Sequence, residues 1–208
     1  MTELKAIKNI IFDLGGVLLY IDLKRTEDAL SELGIEDLSV YLTQHHISAF
    51  FKEYEMGKID DAAFIQSIRS LSQKPLIEAQ VVNAWNALLL DFPEERIELL
   101  RKLKEKYRLF LLSNTNLIHY RRFQEQIHTQ TGMHLEDFFE KTYYSHEVGM
   151  SKPDVAIFHL VVNENKLDPA ETLFVDDTEK NMVGAKEAGL QTFHIAKDAS
   201  ISDIEWEL

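Results

Sequence analysis

Short apolar runs separated by longer amphipathic stretches dominate the chain. Residues 7–12 are rich in isoleucine and break at Asp13-Leu14-Gly15-Gly16, the mark of a buried strand that ends in a loop. Similar runs recur at 108–112, 172–175 and 191–195, and residues 141–145 are a further candidate strand. Between them, helical spacing of apolar residues covers 94–106, 117–129, 154–166 and 179–188. Pro93, Pro153 and Pro169 suit helix starts, and Gly132 and Gly189 suit helix stops. This alternation predicts an α/β fold, a Rossmann-like parallel sheet with helices on both faces.

Residues 23–90 break the rhythm. They show amphipathic helical patterns, such as Ala62, Phe64, Ile65, Ile68 and Leu71, and no convincing strand. A helical insertion after the first strand is therefore expected, giving a core of residues 1–22 and 91–208 and a helical cap of residues 23–90. No repeat, low-complexity tract or Gly/Ser linker separates the two, so the insertion should pack on the core. Residues 201–208 are expected to form a short terminal helix.

Composition narrows the class of partner. The 208 residues are 45% hydrophobic and 27% charged, which suits a soluble globular chain with a substantial core. The 22 Lys and Arg against 35 Asp and Glu leave a formal charge of −13, so there is no basic field for nucleic-acid binding. An anionic substrate would have to be captured by a local positive site. There is no cysteine, which removes disulfides, thiolate nucleophiles and thiolate metal ligands. No stretch is apolar for the length of a membrane span, and the first ten residues lack an apolar signal core, so the expected location is cytoplasmic. The sequence carries no signature of oligomeric state.

Ligands of open parallel sheets sit beyond the carboxyl ends of the strands, and polar residues fall at four such places here. Asp13, directly after Ile10-Ile11-Phe12, can serve as nucleophile or metal ligand, or simply cap a turn before glycine. Asp176-Asp177 ends an apolar run. Two adjacent carboxylates there repel one another unless a cation lies between, whereas a helix cap explains only one of them. With Asp13 they could hold Mg²⁺, which prefers oxygen ligands. Ser113-Asn114, at a helix start, offers a hydroxyl and main-chain N–H groups to phosphate oxygens, though capping alone would also explain it. Lys152 stands near the start of a helix, where a cation gains nothing from the helix dipole. An anion receptor, a cation, a metal cage and a carboxylate nucleophile together make the inventory of phosphoryl transfer.

In order and spacing these residues resemble the haloacid dehalogenase (HAD) superfamily over nearly the whole chain. The carrying motifs are Phe12-Asp13-Leu14-Gly15-Gly16-Val17, Leu112-Ser113-Asn114-Thr115-Asn116, Ser151-Lys152-Pro153-Asp154 and Val175-Asp176-Asp177 followed by Asn181. Glu55-Met56-Gly57-Lys58-Ile59 and Phe64 resemble the helical cap of the subgroup that includes bacterial glucose-1-phosphate phosphatases. The resemblance implies a Mg²⁺-dependent phosphatase of small phosphorylated metabolites, sugar phosphates among them, working through an aspartyl-phosphate on Asp13. It implies Mg²⁺ ligands at Asp13, the Gly15 carbonyl and Asp177, with Asp176 a ligand through water or a partner of Lys152. Ser113 and Asn114 would bind the transferring group, and Lys152 would neutralise its charge.

One position departs from most phosphatases of the superfamily. They carry a second Asp two residues after the nucleophile as general acid and base, and here that residue is Gly15, which cannot transfer a proton. The glucose-1-phosphate-type subgroup shares the glycine. Glu55, or water for a good leaving group, is the candidate replacement. A phosphomutase or a dehalogenase on the same scaffold stays open, as does a phosphate-binding regulatory module without turnover. A mutase normally needs the missing Asp, and a dehalogenase has no evident need of Asp176-Asp177. Asp22, Arg25, Tyr54 and Glu55 are candidate readers of a sugar. The adjacent pair His45-His46 points apart on a helix and is expected to be exposed rather than metal-binding.

Overall fold

The computed structural model describes residues 7–35, 45–196 and 199–206. In chain order the elements are β1 (Asn9–Phe12), α1 (Leu23–Glu32), α2 (His45–Glu55), α3 (Asp61–Leu71), α4 (Glu78–Asn86), α5 (Glu94–Lys104) and β2 (Arg108–Ser113). They continue with α6 (Leu117–Thr131), β3 (Lys141–Tyr144), α7 (Ser145–Val148), α8 (Val155–Asn165), β4 (Thr172–Asp176), α9 (Glu179–Glu187) and β5 (Gln191–His194). All five strands are parallel, in the order β3-β2-β1-β4-β5. The expected α/β sheet is present, and residues 141–145 do supply its edge strand β3.

The period-two alternation of a strand divides the core between the two faces. Ile10, Phe12, Leu109, Leu111, Leu173 and Val175 pack on one side with Ile97 and Leu100 of α5 and Phe123 and Ile127 of α6. Ile11, Phe110, Leu112 and Phe174 face the other side, against Phe158 and Val161 of α8 and Met182 and Ala185 of α9. Because both faces are covered, the central strands β1, β2 and β4 are apolar through their middles, and their polar residues fall at the strand ends.

Helices α1 to α4 gather around an apolar cluster of their own. Phe51, Phe64 and Trp85 lie within ring contact of one another, and Tyr54 stacks on Phe64 at 4.0 Å between centroids. The two crossings between this segment and the sheet run side by side. Tyr20 N–H donates to Asp91 O (3.1 Å), Leu90 N–H to Tyr20 O (2.9 Å) and Asp22 N–H to Leu88 O (2.9 Å).

Two local expectations change. The terminal helix expected over 201–208 is a single 3-10 turn, Ile201–Asp203. The Trp206 indole donates to Ile201 O (2.8 Å) and meets the Phe12 ring edge-on, so the chain folds back on the core instead of continuing as a helix. Pro153 does not open α8. It follows Lys152 through a cis peptide, and Asp154 is the N-cap, accepting from Ala156 N–H at 3.0 Å.

Candidate active site

The parallel registers bring Phe12, Leu111 and Val175 abreast, so Asp13, Ser113 and Asp176 emerge from the same edge of the sheet. Asp13 N–H donates to Val175 O (2.9 Å), and its carboxylate accepts from Leu14 N–H (2.7 Å), which fixes its direction. The loop behind it is held by Arg96, a buried side chain that donates to Val17 O at 2.8 Å and lies over the Tyr20 ring. Arg96 escaped sequence reasoning, because nothing local separates it from the exposed charges of its amphipathic helix.

Lys152 is the centre of the site. Its ammonium is buried and sits 2.7 Å from Asp13 Oδ1 and 2.7 Å from Asp176 Oδ2. A lone lysine near a helix start is ordinarily a solvated surface residue, and this one is enclosed. Burial alone would depress its pKa, but the two carboxylates, Asp13 foremost, hold it above the ordinary lysine value. Burial pushes the Asp13 carboxyl up to about 7, with Lys152 opposing and the Asp176 charge adding to the rise.

Asp176 is committed to structure. Besides Lys152, it accepts from Thr178 N–H (2.7 Å) and from the Asn181 amide at 3.1 and 3.0 Å. Of the two roles implied for it, this geometry supplies the partner of Lys152. Asp177 is partly exposed, and burial and then the Asp176 charge raise its pKa. Asp13, Asp176 and Asp177 each present an oxygen within 4.8 Å of the others. Gly16, at φ +77°, makes room for this convergence, since a Cβ there would lie 2.1 Å from Asp177 Oδ2. Clustered carboxylates, two of them (Asp13 and Asp177) with raised pKa values, and a glycine cradle fit a small divalent cation with oxygen preference.

Ser113 is buried at the end of β2. Its neighbour Asn114 turns the other way: the side-chain amide donates to Lys152 O (2.9 Å) and accepts from Lys152 N–H (2.9 Å). Asn114 therefore clamps the backbone that carries the lysine, and any contact it makes with an anion falls to its main chain. Asn116 caps α6, accepting from His119 N–H (3.0 Å).

The candidate sugar-reading residues separate. Asp22 caps α1 through Lys24 N–H (3.0 Å) and lies 3.7 Å from Arg25, both at the surface. Tyr54 is buried, and its hydroxyl donates to Asp61 (2.7 Å), which also pairs with Arg121 of α6 (2.7 Å). These three have structural work that accounts for them, and Glu55 alone of the four is without an ion pair or side-chain hydrogen bond to any described residue. The side chains of His45 and His46 lie outside the described residues.

A family model of haloacid dehalogenase-like hydrolases matches residues 7–189. The chain belongs to this family of hydrolases. It is 32% identical over 187 residues to the D-ribitol-5-phosphate phosphatase of Bacteroides thetaiotaomicron, covering 90% of this chain and 91% of that protein. A crystal structure of a HAD family enzyme from the same organism superposes with a TM-score of 0.88 at 37% identity, over 97% of each chain. A structure of that enzyme with magnesium and inorganic phosphate gives 0.87 at 36% identity, covering 96% of this hydrolase and 100% of that chain.

Proposed function

We propose that this hydrolase is a Mg²⁺-dependent phosphatase of small phosphorylated metabolites, with sugar and polyol phosphates as its substrate class. The observation that carries the reading is the bridging of Asp13 and Asp176 by Lys152 beside Asp177. A carboxylate oxygen suited to nucleophilic attack, a fixed cation and a carboxylate cage at one edge of the sheet support this reading. The relatives add weight, one named for a pentitol phosphate and one solved with magnesium and phosphate.

In this reading Asp13 attacks phosphorus and becomes an aspartyl-phosphate, which water then hydrolyses. Lys152 stabilises the charge on the phosphoryl oxygens from a water-poor position. Ser113 and the main chain of Asn114 bind the same oxygens, while Asp176 and Asn114 keep Lys152 in place. Mg²⁺ would be held by Asp13, the Gly15 carbonyl and Asp177, where it would offset repulsion between nucleophile and substrate and favour ionised Asp13. Residues 23–90 act as a cap over the core of residues 1–22 and 91–208, covering the leaving group and setting substrate choice.

The test is hydrolysis of 4-nitrophenyl phosphate by the purified protein in Mg²⁺ or in EDTA, with an Asp13→Asn control. Release that requires Mg²⁺ and vanishes in the control supports the reading. Phosphate binding without release from any phosphate ester would instead favour a regulatory module.

A further inference from the structure

Position 15 leaves a proton without a carrier in the phosphatase reading, on which this inference rests. The alkoxide released from a polyol phosphate is a poor leaving group and needs a proton as the P–O bond breaks. Asp13 is engaged with phosphorus at that moment, Lys152 is held by two carboxylates, and Asp177 faces the cation cage. We propose that Glu55, reaching the carboxyl edge of the sheet from the helical segment, is the general acid and base that Gly15 cannot be.

Glu55 is the last residue of α2, and its main-chain carbonyl lies 2.6 Å from Ser145 Oγ. Ser145 directly follows β3, and the same hydroxyl accepts from Thr115 N–H at 2.9 Å, two residues beyond Ser113. Since Ser113 and Tyr144 are register partners, Glu55 is seated one hydroxyl away from the loop that would hold the phosphoryl group. The turn after it is fixed as well. Gly57, at φ +65°, lies so close to α7 that a Cβ there would stand 2.1 Å from His146 O. A backbone held on both sides gives the Glu55 side chain a fixed anchor beside that loop.

The surroundings favour a protonated carboxyl. No described residue gives Glu55 a side-chain hydrogen bond or an ion pair, and the residue is half-buried. It also stands at the C-terminal end of α2, where the helix dipole disfavours negative charge. Burial pushes its pKa up, opposed by the Lys52 ammonium one turn earlier. Glu53 on the same helix adds negative charge, and the neighbouring His146 of α7 has both ring nitrogens buried without a hydrogen-bond partner. Burial lowers the His146 pKa, opposed by the Asp61 charge and the Thr115 backbone.

The proton balance closes over two steps. Asp13 carboxylate attacks phosphorus, the P–O(alkyl) bond breaks, and the Glu55 proton passes to the departing oxygen, leaving alcohol, aspartyl-phosphate and Glu55 carboxylate. Water then attacks phosphorus, Glu55 takes one of its protons, and the bond to Asp13 breaks, releasing inorganic phosphate and restoring both carboxyl groups.

The test compares wild type, Glu55→Gln and His146→Gln by rapid mixing with two classes of ester. One is 4-nitrophenyl phosphate, whose phenolate leaves unaided; the other is a panel of alkyl phosphates headed by ribitol 5-phosphate. Glu55→Gln, with an unchanged melting temperature, is expected to lose about 10²- to 10⁴-fold on the alkyl esters. On the aryl ester it should release about one nitrophenolate per site in a burst before a slow steady state, because the second step lacks its base. Glu55→Asp should recover part of both. Equal losses on the two classes without a burst would overturn the assignment, as would an alkyl-specific loss in His146→Gln instead, or wild-type turnover of the aryl ester alone. Wild-type turnover of neither class would remove the phosphatase reading itself.

Discussion

A Cβ placed on Gly15 would stand 3.3 Å from Ile21 Cδ1, so the space next to the nucleophile loop that another residue would enter is occupied by Ile21. The same Ile21 pairs with Leu89 where the two crossings meet, which couples position 15 to the base of the helical segment. Ile21 is 36% exposed, so its side chain can yield by the few tenths of an ångström required.

From this contact, Gly15→Ala should lower stability by less than about 1 kcal/mol. Gly16→Ala is expected to behave differently, because its φ of +77° is strained for any side chain and the new Cβ would overlap the Asp177 carboxylate. Left-handed strain alone costs about 1–2 kcal/mol, and displacement of Asp177 should weaken Mg²⁺ binding at least tenfold. Thermal melts and Mg²⁺ titration of the two variants would check the contrast.

Lys152→Met should abolish turnover and also destabilise the fold. It leaves the Asp13 and Asp176 carboxyl groups buried without their shared cation, a loss on the order of 3–5 kcal/mol. For a chain of this length that is a fall in melting temperature of roughly 10 °C. An unchanged melting temperature would mean that the carboxylates do not depend on the lysine.

Asn114→Ala should cut kcat while leaving the metal requirement intact. The amide meets both the N–H and the C=O of Lys152, and truncation leaves two main-chain groups without partners at a cost of about 1–3 kcal/mol. A rise in KM with unchanged kcat would mean that Asn114 acts on the substrate and not on the lysine.

His119 predicts a pH dependence of stability. Its ring is buried against Trp85 at 5.1 Å, with Nε2 3.0 Å from Trp85 O and Nδ1 3.0 Å from the Asn116 amide, and burial lowers its pKa to about 4. The native ring stays neutral while the unfolded chain takes up a proton near pH 6.5. This contribution is therefore full above pH 6.5, falls as the pH drops, and levels off below about 4, a loss of about 3 kcal/mol. Urea unfolding between pH 7.5 and 4.5 should show this slope, and His119→Gln should flatten it. Because Trp85 belongs to α4 and His119 to α6, acid should loosen the helical segment from the sheet domain.

Much of the site is legible in the sequence because its members are local. Asp13, Ser113 and Asp176 each follow an apolar strand directly, and a parallel sheet brings the carboxyl ends of its strands to one edge whatever the loops do. The strand and helix alternation, the helical insertion and the absence of thiol chemistry follow from periodicity and composition, while the glycine two residues after Asp13 gains its meaning from the resemblance to the family motif.

What only the tertiary structure decided is how side chains far apart in sequence divide the work. Lys152 is buried because packing sets it between Asp13 and Asp176, and Asp176 rather than Asp177 meets it because successive residues at a strand end point to opposite sides. Asn114 turns to the Lys152 backbone, Arg96 holds the loop after the nucleophile, and Asp22, Arg25 and Tyr54 are taken up by caps and ion pairs. Each of these depends on a distance across the fold, and local hydrophobic periodicity carries no information about such distances.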